Sequence, residues 1–238
     1  MTRLLIVRHA ESAFNDQNRI QGHKDSGLTF RGLYQSQRLA KKIKKIKIDK
    51  IYSSDLGRAY STTLKITRHA NLPIVRDPLL REIHLGDWEG MTPEEVDTLY
   101  DKGYQKWLRK PSSIKIPKGE GIVHFRKRVT RRVKAIARAN RGKTVLVVTH
   151  GGVITALLAD WLKADFDHLL LNLQIDNTSI TMVDETDKKV RLRFINDTSH
   201  LSENSKNDTT IFSKVSSSPP VRSSPRRRGS TGDKLRRG

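Results

Sequence analysis

The sequence predicts an α/β protein, a three-layer α/β/α sandwich around a mostly parallel central sheet. Residues 4–7 are all apolar, and residues 144–148 are a threonine followed by four apolar residues; such runs are typical of strands buried on both faces of a parallel sheet. Between them lie segments whose apolar residues recur at helical spacing, and these predict helices that cover the faces of the sheet.

Capping residues place the first helices. Thr29 suits the N-cap of a helix whose apolar face would carry Leu33, Ala40 and Ile43. Ser54 or Asp55 suits the N-cap of the following helix.

Two later helices have clearer signals. Thr92, Pro93 and Glu95 form the pattern of a capping box with proline at the first helical position. Residues 122–136 carry an apolar stripe at helical spacing, and Gly142 suits the end of that helix.

The other segments predict strands and a loop. Residues 50–53 and 72–75 are short strand candidates, and residues 174–182 and 189–195 predict a hairpin at the edge of the sheet. Residues 11–27 are polar and predict a long loop, which in a compact domain is usually functional.

Composition limits the function classes. The 238 residues contain no cysteine and carry a formal net charge of +21, which favours anionic partners. No apolar run approaches the ~18 residues of a membrane span, so we expect a cytoplasmic protein without a membrane partner. We expect a catalytic domain over residues 1–198 and a disordered basic tail rich in Ser, Pro and Arg over residues 199–238.

Polar residues follow both buried strands directly. Arg8 and His9 come after the first run, and His150 comes after the second. Because ligands bind beyond the carboxyl ends of parallel strands, neighbouring strands would bring the two imidazoles to one site. Gly151 then opens a helix whose free backbone N–H groups suit an anion. The alternative is that these residues are only the polar ends of core strands.

Further motifs follow in a characteristic order. Together they resemble the histidine phosphatase superfamily, which includes the cofactor-dependent phosphoglycerate mutases, and in particular its broad-specificity phosphatase branch. The motifs that carry the resemblance are Arg8-His9-Ala10-Glu11-Ser12 with Asn15, Arg19-Ile20-Gln21-Gly22, Ser53-Ser54-Asp55-Leu56-Gly57-Arg58-Ala59, Leu80-Arg81-Glu82, Gly86-Asp87-Trp88-Glu89-Gly90 and Thr149-His150-Gly151-Gly152.

The resemblance implies a role for each of these positions. His9 would be the nucleophile that becomes phosphohistidine, and Glu82 would donate a proton to the leaving oxygen. The residues that would bind the phosphoryl group or the rest of the substrate are Arg8, Asn15, Gln21, Gly22, Arg58, His150 and Gly151. The chain departs from the family at Ala10, where glycine is more usual, and at Gly121, where the family often has a serine cap.

Elementary chemistry agrees with these implied roles. Phosphoryl transfer depends on positioning and on stabilising charge over three oxygens, for which guanidinium groups are suited. A histidine attacks only when its attacking nitrogen is unprotonated, and the cations of Arg8 and Arg58 should lower the pKa of His9 below its usual value. A metal site of His9, His150 and Glu82 is the rival interpretation, but the neighbouring Arg8 disfavours a cation, so we expect no metal.

The reaction has two forms within the family. The mutases carry a longer insertion between the acid and the second histidine than the span from Ile83 to Thr149 here. We therefore expect a hydrolase of small phosphorylated metabolites without a cofactor. A phosphoglycerate mutase, which would need 2,3-bisphosphoglycerate, is the alternative.

A non-enzymatic alternative comes from the basic segments. One face of the helix around residues 126–138 and the arginines at 226–228 could bind nucleic acid or another polyanion. Few aromatic residues lie among these cations, which disfavours stacking on single strands. We expect the tail to add weak polyanion binding and to be dispensable for catalysis.

Overall fold

A computed structural model describes residues 1–186 and 189–202. These residues form a six-stranded sheet in the order β3-β2-β4-β1-β5-β6. The strands are β1 (Thr2–Arg8), β2 (Lys50–Ser53), β3 (Ile74–Arg76), β4 (Thr144–Thr149), β5 (Ile180–Glu185) and β6 (Val190–Asp197). The first four strands of that order pair in parallel, and β5 and β6 are antiparallel, so the predicted mostly parallel sheet with an edge hairpin is confirmed. The first strand of the hairpin lies at Ile180–Glu185 and not over the predicted residues 174–182.

The helices of the described residues lie on both sides of the sheet. They are α1 (Ala13–Asp16), α2 (Phe30–Ile43), α3 (Gly57–Ile66), α4 (Pro93–Leu99), α5 (Gly103–Trp107), α6 (Ile122–Ala139), α7 (Gly151–Leu162), α8 (Phe166–Asn172) and α9 (Ser199–Ser202). Three single 3₁₀ turns, Pro78–Leu80, Gly86–Trp88 and Pro111–Ser113, lie in the connections. None of the described helices is long and apolar enough to cross a membrane.

The first strand shows why its sequence is apolar throughout. Leu4 and Ile6 pack into the core layer that contains α6 and α7, whereas Leu5 and Val7 pack into the layer that contains α2 and α3. Successive side chains of a strand point to opposite faces, so a strand covered on both faces needs apolar residues at every position. The same alternation holds along β4.

Three local predictions need correction. On α2 the buried face is formed by Leu39 and Ile43, while Leu33 is 37% exposed, because the buried stripe lies to one side of the predicted one. The loop over residues 11–27 contains the short helix α1. The N-cap of α3 is Leu56, with no capping bond from its own side chain.

The folded part extends past residue 198, where the sequence places the end of the catalytic domain. Helix α9 follows β6 directly, and its His200 is buried. The helix is held against α2, since Arg38 Nε donates to the His200 carbonyl at 3.0 Å. Residues 199–202 are therefore not part of a disordered tail, and the remaining tail, residues 203–238, lies outside the described residues.

Candidate active site

The site lies where β1 and β4 end side by side. Arg8 is paired with Thr149 in the parallel register, so the next residue of each strand, His9 and His150, leaves the sheet at the same edge. Their ring centroids are 5.2 Å apart with an angle of 60° between the planes. Both rings are buried. The predicted convergence of the two histidines is present in the structure.

His9 is held in one tautomer by its partners. Its Nδ1 lies 2.7 Å from the carbonyl oxygen of Ala10, which requires a proton on Nδ1. Its Nε2 accepts a hydrogen bond from Arg58 Nε at 3.3 Å, so the lone pair is on Nε2. Burial, followed by the cations of Arg58 and Arg8, lowers the pKa of His9 well below its usual value. The ring is therefore neutral at physiological pH, with Nε2 as its nucleophilic atom.

Arg58 is fixed by acceptors from the loop before α2. Its guanidinium donates to the carbonyls of Gly22 at 2.7 Å and Lys24 at 3.0 Å, and to Asp25 Oδ1 at 3.1 Å. The same Asp25 carboxylate accepts the backbone N–H groups of Gly57 and Arg58. Asp25 therefore supplies the anionic cap of α3, in place of the predicted Ser54 or Asp55, and also orients the arginine that contacts His9.

Arg8 has a donor left for a ligand. One terminal N–H of its guanidinium binds the Ile175 carbonyl, but its buried Nε has no partner among the described residues. Gly151 is adjacent, because a Cβ placed there would lie 3.6 Å from Arg8 Nε. A buried unpaired donor beside the first residue of a twelve-residue helix is suited to an anion.

Glu82 faces the same helix start. Its Oε2 accepts the N–H of Gly152 at 2.9 Å, and its Oε1 accepts the N–H of Ile83 at 2.9 Å. A Cβ at position 152 would overlap Oε1. The backbone at Glu82 is held as well, because its carbonyl lies 2.9 Å from His23 Nε2 and 3.2 Å from Arg128 Nη2.

The loop after β1 supplies Asn15, Gln21 and Gly22 to the rim of the site. Ser12 connects two of them, since its hydroxyl contacts Asn15 Oδ1 at 3.1 Å and donates to Gln21 Oε1 at 2.8 Å. Gly22 has φ +54°, and a side chain there would overlap the Glu89 carboxylate. Glycine at position 22 is therefore needed for the loop that supplies the carbonyl bound by Arg58.

These residues line one cleft of about 490 Å³. The sequence-predicted residues on its walls are Arg8, His9, Asn15, Gln21, Gly22, Arg58, Glu82 and Gly151. His150 does not reach the wall: its ring lies behind His9, with Nε2 2.8 Å from Ser54 Oγ. Burial and then Arg58 lower the pKa of His150 well below its usual value, so it is neutral in the unliganded protein.

The Nε2 atoms of His9 and His150 contact other side chains of the site and not a set of metal-ligating groups. His9 Nε2 faces a guanidinium and His150 Nε2 faces a serine hydroxyl. Within residues 1–186 and 189–202, no group of three or more His, Cys, Asp or Glu side chains has a geometry suited to a metal ion.

Sequence reasoning missed several residues that shape this site. Asp25 acts directly on Arg58, and Gly152, predicted only as part of the motif after His150, donates its N–H to Glu82. Asn177 Nδ2 donates to the His9 carbonyl at 2.9 Å, and the Thr178 N–H binds the same carbonyl and that of Arg8. A polar Asp-Asn-Thr stretch directly before a strand that enters the sheet beside β1 was the available signal for the last two.

A neutral imidazole beside the buried guanidinium of Arg58 and the half-buried one of Arg8, at the carboxyl edge of an α/β sheet, is the arrangement of a phosphoryl-binding α/β protein. The chain belongs to the histidine phosphatase superfamily, branch 1, whose profile matches residues 4–198. It is 32% identical to phosphoserine phosphatase 1 of Hydrogenobacter thermophilus, over 85% of this chain and 96% of that relative.

Solved structures also superpose on this chain. YhfR of Bacillus stearothermophilus superposes with a TM-score of 0.81 at 33% identity, covering 84% of this chain and all of that one. A phosphoserine phosphatase of Entamoeba histolytica, solved with 3-phosphoglyceric acid, has a TM-score of 0.75 at 31% identity over 84% of this chain and 100% of that chain. The predicted phosphoglycerate mutase-like fold and the prediction of a histidine phosphatase are confirmed.

Proposed function

We propose that this protein hydrolyses small phosphomonoesters through a phosphohistidine formed on His9 Nε2. One observation carries the proposal: Nδ1 is tied to the Ala10 carbonyl, which leaves Nε2 unprotonated beside Arg58 and the unpaired Nε of Arg8. A nucleophile and the donors for the group it attacks thus share one end of the cleft.

In the first step, His9 Nε2 attacks phosphorus and the bond from phosphorus to the ester oxygen breaks. The electron pair stays on that oxygen, which takes a proton from Glu82. Arg8 Nε and the N–H of Gly151, the first residue of α7, bind the phosphoryl oxygens, where charge develops. His150 packs edge-on against the ring of His9, with the ring centroids 5.2 Å apart, and supports its orientation.

In the second step, water attacks phosphorus and the bond to Nε2 breaks. Glu82, now ionised, takes a proton from that water, so the enzyme returns to its starting protonation state and inorganic phosphate leaves. One carboxyl group serves as acid and then as base, and its two backbone N–H contacts hold it in place for both steps.

The cleft beyond the phosphoryl end favours substrates with an apolar body. Its walls there are mainly aliphatic and aromatic, and they include Ile83, Trp107, Phe125, Phe166, Leu170 and Leu173. The charged lining residue outside the phosphoryl end is Arg19, which is engaged by the Gly90 carbonyl at 2.7 Å and by Glu95 at 3.1 Å. The ammonium and carboxylate of phosphoserine would therefore find few partners, and aryl or alkyl phosphates fit better.

The experiment compares wild type with His9→Ala on 1-naphthyl phosphate and on O-phosphoserine. We expect release of inorganic phosphate to fall at least a thousandfold in His9→Ala. We also expect an acid-labile phosphoryl label on rapidly quenched wild type that is absent from the variant. His69→Ala, at an exposed position, is the matched control and should behave as wild type.

Two outcomes would contradict the proposal. Label retained on His9→Ala would exclude His9 as the nucleophile. If 3-phosphoglycerate with 2,3-bisphosphoglycerate is isomerised faster than phosphate is released, the protein is a mutase. A higher kcat/KM for phosphoserine than for the naphthyl ester would overturn the substrate preference alone.

A further inference from the structure

The segment that enters β5 closes over the end of β1, where the site histidine leaves the sheet. The Thr178 N–H donates to the carbonyl of Arg8 at 3.0 Å and to that of His9 at 3.3 Å. The Arg8 N–H in turn donates to the Ser179 carbonyl at 3.3 Å. With the amide of Asn177 on the His9 carbonyl, three consecutive residues fix the backbone of Arg8 and His9.

Thr178 has a conformation that its side chain disfavours. Its φ is +60°, in the left-handed region that β-branched residues rarely adopt, and the residue is completely buried. Such a conformation persists only where the surroundings impose it, and it often marks a functional contact. The question is which group holds Thr178.

That group is His200 of α9. Thr178 Oγ1 donates to the Asn177 carbonyl at 2.6 Å and lies 3.1 Å from His200 Nε2. Because the single hydroxyl proton is already used, His200 Nε2 must carry the proton and donate it to Oγ1. His200 Nδ1 then carries the lone pair, consistent with its lack of a partner among the described residues.

The position of His200 is itself fixed from two directions. Its carbonyl accepts from Arg38 Nε on α2 at 3.0 Å. Lys42, also on α2, donates to Asp197 at 2.5 Å and to Ser199 Oγ at 2.7 Å. Asp197 is the last residue of β6 and Ser199 is the first residue of α9. Burial, and after it the cation of Lys42, lowers the pKa of His200 to about 4, which keeps the ring neutral.

We propose that His200 is a positioning residue for catalysis, which holds Thr178 in its left-handed conformation and thereby fixes His9 against the substrate phosphoryl group. The contacts run from α9 to Thr178 and from Thr178 to the backbone of His9. The inference rests on the proposed role of His9 as the nucleophile. It also means that part of the chain beyond residue 198 serves the site.

The test uses the full chain with two substitutions at the same position. His200→Phe keeps an aromatic ring of similar size but removes the donor, whereas His200→Gln can place an amide N–H near the position of Nε2. On 1-naphthyl phosphate we expect kcat of His200→Phe to fall tenfold or more with KM within twofold. We expect His200→Gln to recover kcat to within threefold of wild type. Equal losses in both variants, or wild-type kcat in His200→Phe, would overturn the proposal.

A double-mutant cycle separates positioning from a general loss of stability. Thr178→Gly removes both the strained side chain and its hydrogen bond, so His200→Phe added to it should lower kcat by less than twofold further. If the two losses multiply instead, His200 does not act through Thr178.

A readout that does not depend on turnover keeps this proposal distinct from the proposed function. The imidazole proton resonances of His9, assigned by comparison with His9→Ala, should shift in His200→Phe and return in His200→Gln. That shift is expected even if another residue is the nucleophile. Unchanged His9 resonances in His200→Phe would refute the positioning role.

Discussion

Replacing Gly152 with alanine should disable the proton donor while leaving the fold intact. The new Cβ would overlap Glu82 Oε1 and lie 3.1 Å from the carboxyl carbon. Ordinary contact begins near 3.4 Å, so the carboxylate must move by roughly 1 Å and lose its bond to the Gly152 N–H. The helix itself should tolerate the change, because alanine favours a helical position by about 1 kcal/mol over glycine.

The expected loss in rate follows from the role of Glu82. A positioned general acid typically contributes 10²–10⁴-fold, and a displacement of about 1 Å can remove about 10²-fold. We therefore expect kcat/KM of Gly152→Ala, which reports the steps up to phosphorylation of His9, to fall about 100-fold on an alkyl phosphate. On p-nitrophenyl phosphate, whose leaving group needs no protonation, we expect kcat/KM to fall by less than about fivefold, because the acid then contributes little to that step.

Steady-state assays on the two esters, together with thermal unfolding, measure these effects. Gly27→Ala is the matched control, because Gly27 is exposed outside the cleft and a Cβ there would have no heavy atom within 4 Å. Its kcat/KM should stay within about threefold of wild type on both esters. Equal losses in kcat/KM of Gly152→Ala on the two esters would refute the assignment of Glu82 as the acid, and wild-type kcat/KM on both would refute the steric argument.

Three further outcomes are expected. Asp25→Asn keeps the size of the side chain but removes the charge at Arg58, so kcat on 1-naphthyl phosphate should fall about tenfold; an unchanged kcat would show that the Gly22 and Lys24 carbonyls suffice. Because the pKa of His9 is lowered, kcat/KM, corrected for substrate ionisation, should stay flat as pH falls to 6.5 and decline only below it; a midpoint at 6.5 or above would contradict this. The pKa of His200 is about 4 in the folded protein and about 6.5 in the unfolded chain, so the unfolded chain takes up this proton first as pH falls and the fold is destabilised. Between pH 6.5 and pH 4, denaturant titrations should therefore show that the unfolding free energy of wild type falls by about 1–3 kcal/mol more than that of His200→Gln.

The strands and the two histidines were predictable because their signal is local. A strand covered on both faces is apolar at every position, and the residue after it lies at the edge of the sheet. The capping box of Thr92 and Glu95 is local in the same way and is confirmed, with Thr92 Oγ1 accepting the Glu95 N–H at 3.2 Å.

The features that sequence reasoning missed depend on contacts between distant parts of the chain. Asp25 caps a helix that begins 32 residues later, so no window around Gly57 contains the capping residue. Leu33 has an apolar side chain at a helical position, but the direction of the buried face is decided by how α2 packs on α3 and α9. His200 lies in a polar sequence without periodicity, and its burial depends on docking against α2.

The strand that carries His9 has a parallel neighbour on one side and an antiparallel neighbour on the other. The carboxyl end of β1 therefore contacts the segment around residue 150 on one side and the segment around residue 178 on the other. During synthesis on the ribosome, the first strand emerges long before either of them. A nascent chain that stops before β5 would carry both histidines without the residues that hold the first in place, so phosphatase activity should appear only late in translation.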